Sequence, residues 1–297
     1  MSSWPRAVAV GVSLLTALIA VTGIAAAVPT GDPAVLVTLA VVLTAGAAST
    51  GLGLLVAYRR PGNPVGAVLC WIGLLPPAIA LLDLNPPVPP VVEALAIGAW
   101  TWLYVPVALL ILLFPDGRVP GPGWRWVALA LPGVALGFQA MAALAWDSPY
   151  PVLPEPVAIA LTALLLPSLL GLLVASAVSM RVRYRRADPV ARVRLKWLAL
   201  AALALPATLL LCWLSYLLLS GPDLVVIGLL ALYLGVPAAT AIAILRHDLY
   251  DVDRALSAAV TYGAVTAGLL AVFTLVSFAG GVLLGGGSAV AAAGATA

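Results

Sequence analysis

Residues 34–83 read AVLVTLAVVLTAGAASTGLGLLVAYRRPGNPVGAVLCWIGLLPPAIALLD, and the fold class turns on them. No charged side chain occurs between Ala34 and Tyr58. Arg59 and Arg60 follow, then the turn Pro61-Gly62-Asn63-Pro64, and then a second uncharged run that reaches Asp83. At about 1.5 Å of rise per residue, each run is long enough to cross the ~30 Å hydrocarbon core of a bilayer as a helix. Neither run shows the polar/apolar alternation that a transmembrane β-barrel needs, and backbone groups in lipid must be satisfied within the segment. The stretch predicts two transmembrane helices joined by a tight basic turn.

Extending outward, the same reading gives about nine candidate spans, at 7–28, 34–57, 65–84, 91–114, 126–146, 157–180, 197–220, 224–245 and 257–284. The predicted fold is an all-α polytopic bundle. Residues 1–284 form one multi-span membrane domain, and 285–297 a Gly/Ala-rich tail. Composition agrees: 64% of the 297 residues are apolar and 8% charged, and mean hydropathy is +1.16, far from a soluble domain with about 25% charged residues. The first run follows Arg6 and ends in Ala25-Ala26-Ala27. Its length favours a retained span over a cleaved signal peptide, whose apolar core runs to 7–15 residues.

Placing the charges on these spans orients them. With the N-terminus inside, all 14 basic residues fall on one face: Arg6, Arg59, Arg60, Arg118, Arg125, Arg181, Arg183, Arg185, Arg186, Arg192, Arg194, Lys196, Arg246 and Arg254. The opposite face carries Asp32, Asp83, Glu93, Asp147, Glu155 and Asp223 and no basic residue. Since cytoplasmic loops retain Lys and Arg, the N-terminus is expected to be cytoplasmic. Tyr58, Trp124, Trp126, Tyr184 and Trp197 flank the basic side, and Trp146 and Tyr150 the other, as interfacial aromatics do. A single lysine among the basic residues, with abundant Ala, Val, Gly and Pro, suggests a GC-rich genome and hence a bacterial plasma membrane.

Between these spans the loops are short, the longest being 181–196, so a soluble catalytic or ligand-binding domain has no room. No catalytic, cofactor-binding or metal-ligating residue is singled out, and no cofactor is expected. Interior prolines at Pro76, Pro77, Pro106, Pro132, Pro167, Pro206 and Pro237 admit two readings. They are kinks tolerated in lipid, or markers of the discontinuous helices that build transporter sites. Asp83 and Glu93 lie near the outer ends of their spans, which leaves Gln139 as the most deeply placed long polar side chain.

Four inner-face motifs stand out. The first two are proline-glycine turns, Arg59-Arg60-Pro61-Gly62-Asn63-Pro64-Val65-Gly66 and Phe114-Pro115-Asp116-Gly117-Arg118-Val119-Pro120. The third is the loop holding Arg181, Arg183, Arg185, Arg186, Arg192, Arg194 and Lys196 against Asp188. It is either a candidate contact for anionic lipids or simply an anchor that fixes topology. Nucleic acid is not an expected partner, because the patch has no groove-reading element. In the fourth, Leu245, Leu249, Val252 and Leu256 form one apolar stripe at helical spacing, with Asp248, Asp251 and Arg254 away from it. That segment reads as a short interfacial helix between the eighth and ninth spans. Leu245, Leu249, Tyr250, Asp251, Val252, Asp253 and Arg254 are the candidate signal-coupling residues. His247 follows the eighth span too closely to serve a kinase, and Asp248, Asp251 and Asp253 offer too few oxygens for a hard cation.

Taken in order, these motifs, with Arg194-Leu195-Lys196-Trp197-Leu198-Ala199-Leu200 closing the third and Val260-Thr261-Tyr262-Gly263 following the fourth, resemble the membrane-embedded N-terminal region of actinobacterial sensor histidine kinases. The resemblance covers nearly the whole chain. It implies a sensor or scaffold module of a two-component signalling protein, catalytically silent as the chain stands, with a kinase or response regulator as partner and a homodimer as an allowed assembly. In that family a further span and cytoplasmic kinase domains follow, and the tail from Gly285 reads as the approach to that span. A small permease or transporter subunit is the alternative from another class, and a membrane anchor without a stimulus is a third.

Overall fold

The computed structural model describes residues 4–30, 32–83, 89–145, 147–186, 202–211, 213–214 and 223–245, and these form helices joined by short turns, with no strand among them. In order the helices are α1 (Trp4–Ala27), α2 (Pro33–Arg59), α3 (Val65–Asp83), α4 (Pro90–Ile97), a 3-10 helix (Ala99–Leu103), α5 (Val105–Leu113), α6 (Gly123–Ala142), α7 (Glu155–Arg186), α8 (Ala202–Leu211) and α9 (Asp223–Leu245). Five helices are each long and apolar enough to cross a membrane, and α4 with the 3-10 helix and α5 makes a sixth span if the bent pair is counted as one. In α8 and α9 the apolar stretches that stand out, Ala202–Leu211 and Leu232–Ala241, are shorter. The expected span at 257–284, the tail and the interfacial segment beyond Leu245 lie outside the described residues.

The turn read from residues 59–64 is present, and among the described helices the two it joins share the most extensive contact. Glycines face each other across the seam in antiparallel order, Gly46 against Gly73 and Gly53 against Gly66. A β-carbon on Gly46 would stand 2.6 Å from the Gly73 carbonyl oxygen, and one on Gly66 would stand 2.7 Å from that of Gly53. Apolar helices gain little by hiding from apolar lipid, so backbone contact of this kind supplies the packing. Hydrogen bonds across the seam add to it: the buried Ser49 hydroxyl donates to the Leu69 carbonyl at 2.9 Å, and the Cys70 thiol donates to the Thr50 carbonyl at 3.7 Å. The first helix, α1, lies on the same pair through Ala9, which clusters with Ala57, Ala67 and Cys70.

At the centre stands α5. Val105, Val107, Ala108, Leu110, Ile111 and Leu112 are all buried, as a helix apolar on every side must be when other helices surround it. Around it lie α3, α6 and α7. Leucines and valines on α1 such as Leu14, Leu18 and Val21 stay exposed, as expected of side chains whose solvent is lipid.

The expected span 91–114 is not one straight helix. It bends by 55° between α4 and the segment Ala99–Leu113. Gly98 lies at the break, three of the next six residues are aromatic (Trp100, Trp102 and Tyr104), and Pro106 falls in the first turn of α5. Proline lacks the N–H that a continuing α-helix would use, and glycine is a weak helix former.

The expected loop 181–196 also begins differently, because Arg181, Arg183, Arg185 and Arg186 extend α7 instead of leaving it. Arginine is a good helix former and favours a helix C-terminus electrostatically. With 32 residues, α7 is about 48 Å long, well over the ~30 Å thickness of a bilayer's hydrocarbon core.

Candidate functional site

Among the described residues, the first two sequence motifs and the start of the third meet at one end of the bundle. Arg6 lies over the Tyr58 ring with 4.3 Å between guanidinium carbon and ring centroid, which puts the start of α1 beside the end of α2. From the turn that follows α2, the Asn63 side-chain amide donates to the Pro115 carbonyl at 2.9 Å, while the Asn63 Oδ1 accepts from the Val65 N–H at 3.0 Å. One asparagine thus starts α3 and grips the neighbouring loop. That loop is tight: the Phe114–Pro115 peptide is cis, and the Gly117 N–H returns to the Leu113 carbonyl at 2.8 Å. Gly117 adopts φ +70, and a β-carbon there would stand 2.5 Å from Asn63 Oδ1 and 2.6 Å from Pro64 Cδ. Only glycine suits both the backbone conformation and the space.

Arg183 closes the junction from α7. One of its terminal nitrogens, Nη2, donates to the Leu112 carbonyl at 2.6 Å and also to the Arg118 carbonyl. It thereby holds the end of α5 and the loop after it in one grip. Burial works against the Arg183 charge, and the negative charge of Asp116 on the same loop works the other way. A partly buried arginine is sustained by such charge-assisted bonds to carbonyls that the helix end leaves open. The contacts Arg6 to Tyr58, Asn63 to Pro115 and Arg183 to Arg118 together bring the basic residues of three separate loops to the same end.

Of the seven residues read as either an anionic-lipid contact or a topology anchor, Arg183 is therefore engaged by protein carbonyls. Arg181 and Arg185 are exposed on the other side of α7. The placement of Arg192, Arg194 and Lys196 lies outside the described residues. So does that of Leu249, Tyr250, Asp251, Val252, Asp253 and Arg254, and of the candidate coupling residues Leu245 alone is described, as the last residue of α9.

A second polar centre occupies the bend. Gln139 on α6 accepts from Trp102 Nε1 at 2.7 Å and donates to the Leu95 carbonyl at 2.7 Å, so it binds both sides of the break. Gly98 lies against it, since a β-carbon there would stand 2.5 Å from the Gln139 Cα. The Tyr233 hydroxyl of α9 donates to the Leu103 carbonyl at 2.7 Å in a buried position, at the junction where the 3-10 helix ends. Trp100 packs edge-on against Phe138 at 5.3 Å. Depth alone picked out Gln139 in the sequence. Nothing in the sequence marked its partners, because Leu95 takes part through its carbonyl and Tyr233 is far along the chain.

Among the described residues, no group of three His, Cys, Asp or Glu side chains comes together where it could hold a metal ion. Comparison with protein families, curated proteins and solved structures finds no match to the chain.

Proposed function

We propose that the chain is a sensor or scaffold module of a two-component-type signalling protein, set in a bacterial plasma membrane by about nine spans with its N-terminus in the cytoplasm. On this reading it carries no catalytic machinery of its own. The spans would register a stimulus, and the segment Leu245 to Leu256 would pass it to a kinase or response-regulator partner. The observation that supports the reading best is the junction built by Asn63 and Arg183, which ties the α2–α3 turn, the α5–α6 loop and the end of α7 into one body. A shift of any of these helices then moves the others, and a packed element with two discrete positions is what signal transfer requires.

The test is made in the bacterium that encodes the chain, by comparing response-regulator phosphorylation in wild type, in a deletion strain and in an Arg183→Ala strain. The reading expects the deletion to change at least one regulator, and Arg183→Ala to reproduce part of that change after normalising to the amount of the variant in the membrane. Identical phosphorylation in wild type and deletion strains overturns it.

A transporter subunit is the second reading, favoured by the 55° bend at Gly98 and the glutamine inside it. Broken helices line transporter sites near the bilayer midplane. Uptake into proteoliposomes that is lost in Gln139→Leu would support that reading over the first.

A further inference from the structure

The seven cationic residues between 181 and 196 form one patch in the sequence, yet α7 divides those it carries between two opposite faces. Along one face Leu169, Leu173, Ser176 and Met180 are buried, at spacings of 4, 3 and 4, and Arg183 continues that line into the loop carbonyls three residues later. Along the other face Val157, Ala160, Leu164, Pro167, Gly171, Val174 and Val178 are exposed. The same line then continues to Arg181 and Arg185, which are exposed too. These spacings of three and four keep all nine residues on one stripe.

The length of the apolar part is informative. From Val157 to Val178 the helix rises about 31 Å, against about 30 Å for the hydrocarbon core. Glu155 stands just before that interval and Arg181 just after it, so charge begins where the hydrocarbon ends. Arg181 and Arg185 are one turn apart on the stripe, just past an apolar interval that ends at Val174 and Val178. No acidic residue shares α7 with them nearer than Glu155, at the far end of the helix.

We infer that Arg181 and Arg185 form a binding site for the headgroup of an anionic phospholipid, whose acyl chains lie along the exposed valine and leucine stripe of α7. The proposal rests on the membrane-spanning reading of α7 and not on the signalling role. Arginine suits this task because its planar fork pairs with phosphate oxygens while its alkyl stem runs along the apolar surface. Arg183 is excluded from the site by its bonds to Leu112 and Arg118.

The experiment is native mass spectrometry of the full chain in detergent, titrated with phosphatidylglycerol or with phosphatidylcholine of the same acyl chains, each with and without inorganic phosphate. Wild type should retain phosphatidylglycerol in preference to phosphatidylcholine. Arg181→Gln with Arg185→Gln should lower its apparent affinity for phosphatidylglycerol by roughly ten- to thirty-fold, the scale set by two arginines facing an anionic leaflet. Arg125→Gln, which removes an exposed arginine on α6, should leave that affinity unchanged. A double variant that remains monodisperse and still retains phosphatidylglycerol like wild type overturns the site. So does equal retention of the two lipids, displacement by inorganic phosphate, which would mark a free-phosphate site, or a dimer mass lost in the double variant, which would make the stripe a contact between two copies of the chain.

Discussion

Asn63 and Pro115 are 52 residues apart, yet the Asn63 side-chain amide reaches the Pro115 carbonyl at 2.9 Å. Arg183 donates to the Arg118 carbonyl of the same loop and to the Leu112 carbonyl just before it. The loop Phe114–Arg118 is thus held at two points, by one neutral and one charged donor. Asn63→Ala should lower stability by about 1 kcal/mol, and Arg183→Ala by roughly 2–3 kcal/mol because hydrogen bonds from charged donors are stronger. Since both side chains order one loop, the double variant should fall short of the sum by about 0.5 kcal/mol or more. Thermal unfolding in detergent, followed by tryptophan fluorescence, measures all three. Strict additivity would mean that the two grips act independently and that the junction is not one body.

Facing glycines make a second prediction. A methyl group at Gly66 would meet main-chain atoms of Ala57 and Gly53 at 2.7 Å, and backbone cannot rotate away as a side-chain tip can. Gly66→Ala should therefore cost roughly 1–3 kcal/mol, the scale of overpacking. Gly51 lies on α2 with open space around its would-be β-carbon, so Gly51→Ala should be neutral or slightly stabilising through helix propensity. The pair separates packing from propensity in one experiment, read as the shift of the unfolding midpoint.

How far the sequence reveals these features follows from where charge interrupts apolarity. The α2–α3 hairpin is legible because Arg59, Arg60 and the Pro-Gly-Asn-Pro turn stand between two uncharged runs. The break at Gly98 is less so, since residues 91–113 are uniformly free of internal charge after Glu93 and a single glycine with a later proline is also compatible with a kinked span. The two faces of α7 are illegible from periodicity, because a helix with protein on one side and lipid on the other is apolar on both. Only the arginines at its end reveal the division, Arg183 on the line of Leu169 and Met180, and Arg181 and Arg185 on the line of Val174 and Val178. Asn63 could be placed in a turn, but its bond to Pro115 depends on how two loops meet, which no local pattern encodes.

Gln139 supplies the third prediction. Gln139→Leu removes the acceptor for Trp102 and the donor for Leu95 while keeping a similar volume, and each lost bond costs about 0.5–1.5 kcal/mol. Gln139→Glu keeps an acceptor for Trp102 but loses the amide donor to the Leu95 carbonyl, so it should fall between wild type and Gln139→Leu only when the carboxyl is protonated and can donate. Stability of the Glu variant should therefore recover as pH falls, and that of the Leu variant should not. A pH-independent difference between the two variants would show that the Leu95 bond contributes nothing.

The last prediction concerns the two ends of the bundle. Val152 is 76% exposed in the connection before α7, and Arg185 is exposed near the other end of that helix. The rise from Glu155 to Arg185 is about 45 Å, more than the ~30 Å of hydrocarbon between the leaflets. Cysteines at these two positions, in a chain with Cys70 and Cys212 replaced by alanine, should therefore react with an impermeant maleimide from opposite sides. Under the positive-inside rule the residue joined to the arginine-rich end faces the cytoplasm. In intact cells Val152→Cys should label and Arg185→Cys should not; in inverted vesicles the pattern should reverse. The reverse pattern in intact cells would keep α7 as a span and invert the whole topology, whereas labelling of both from outside would mean that α7 does not cross the membrane, and the lipid site at Arg181 and Arg185 would fall with it.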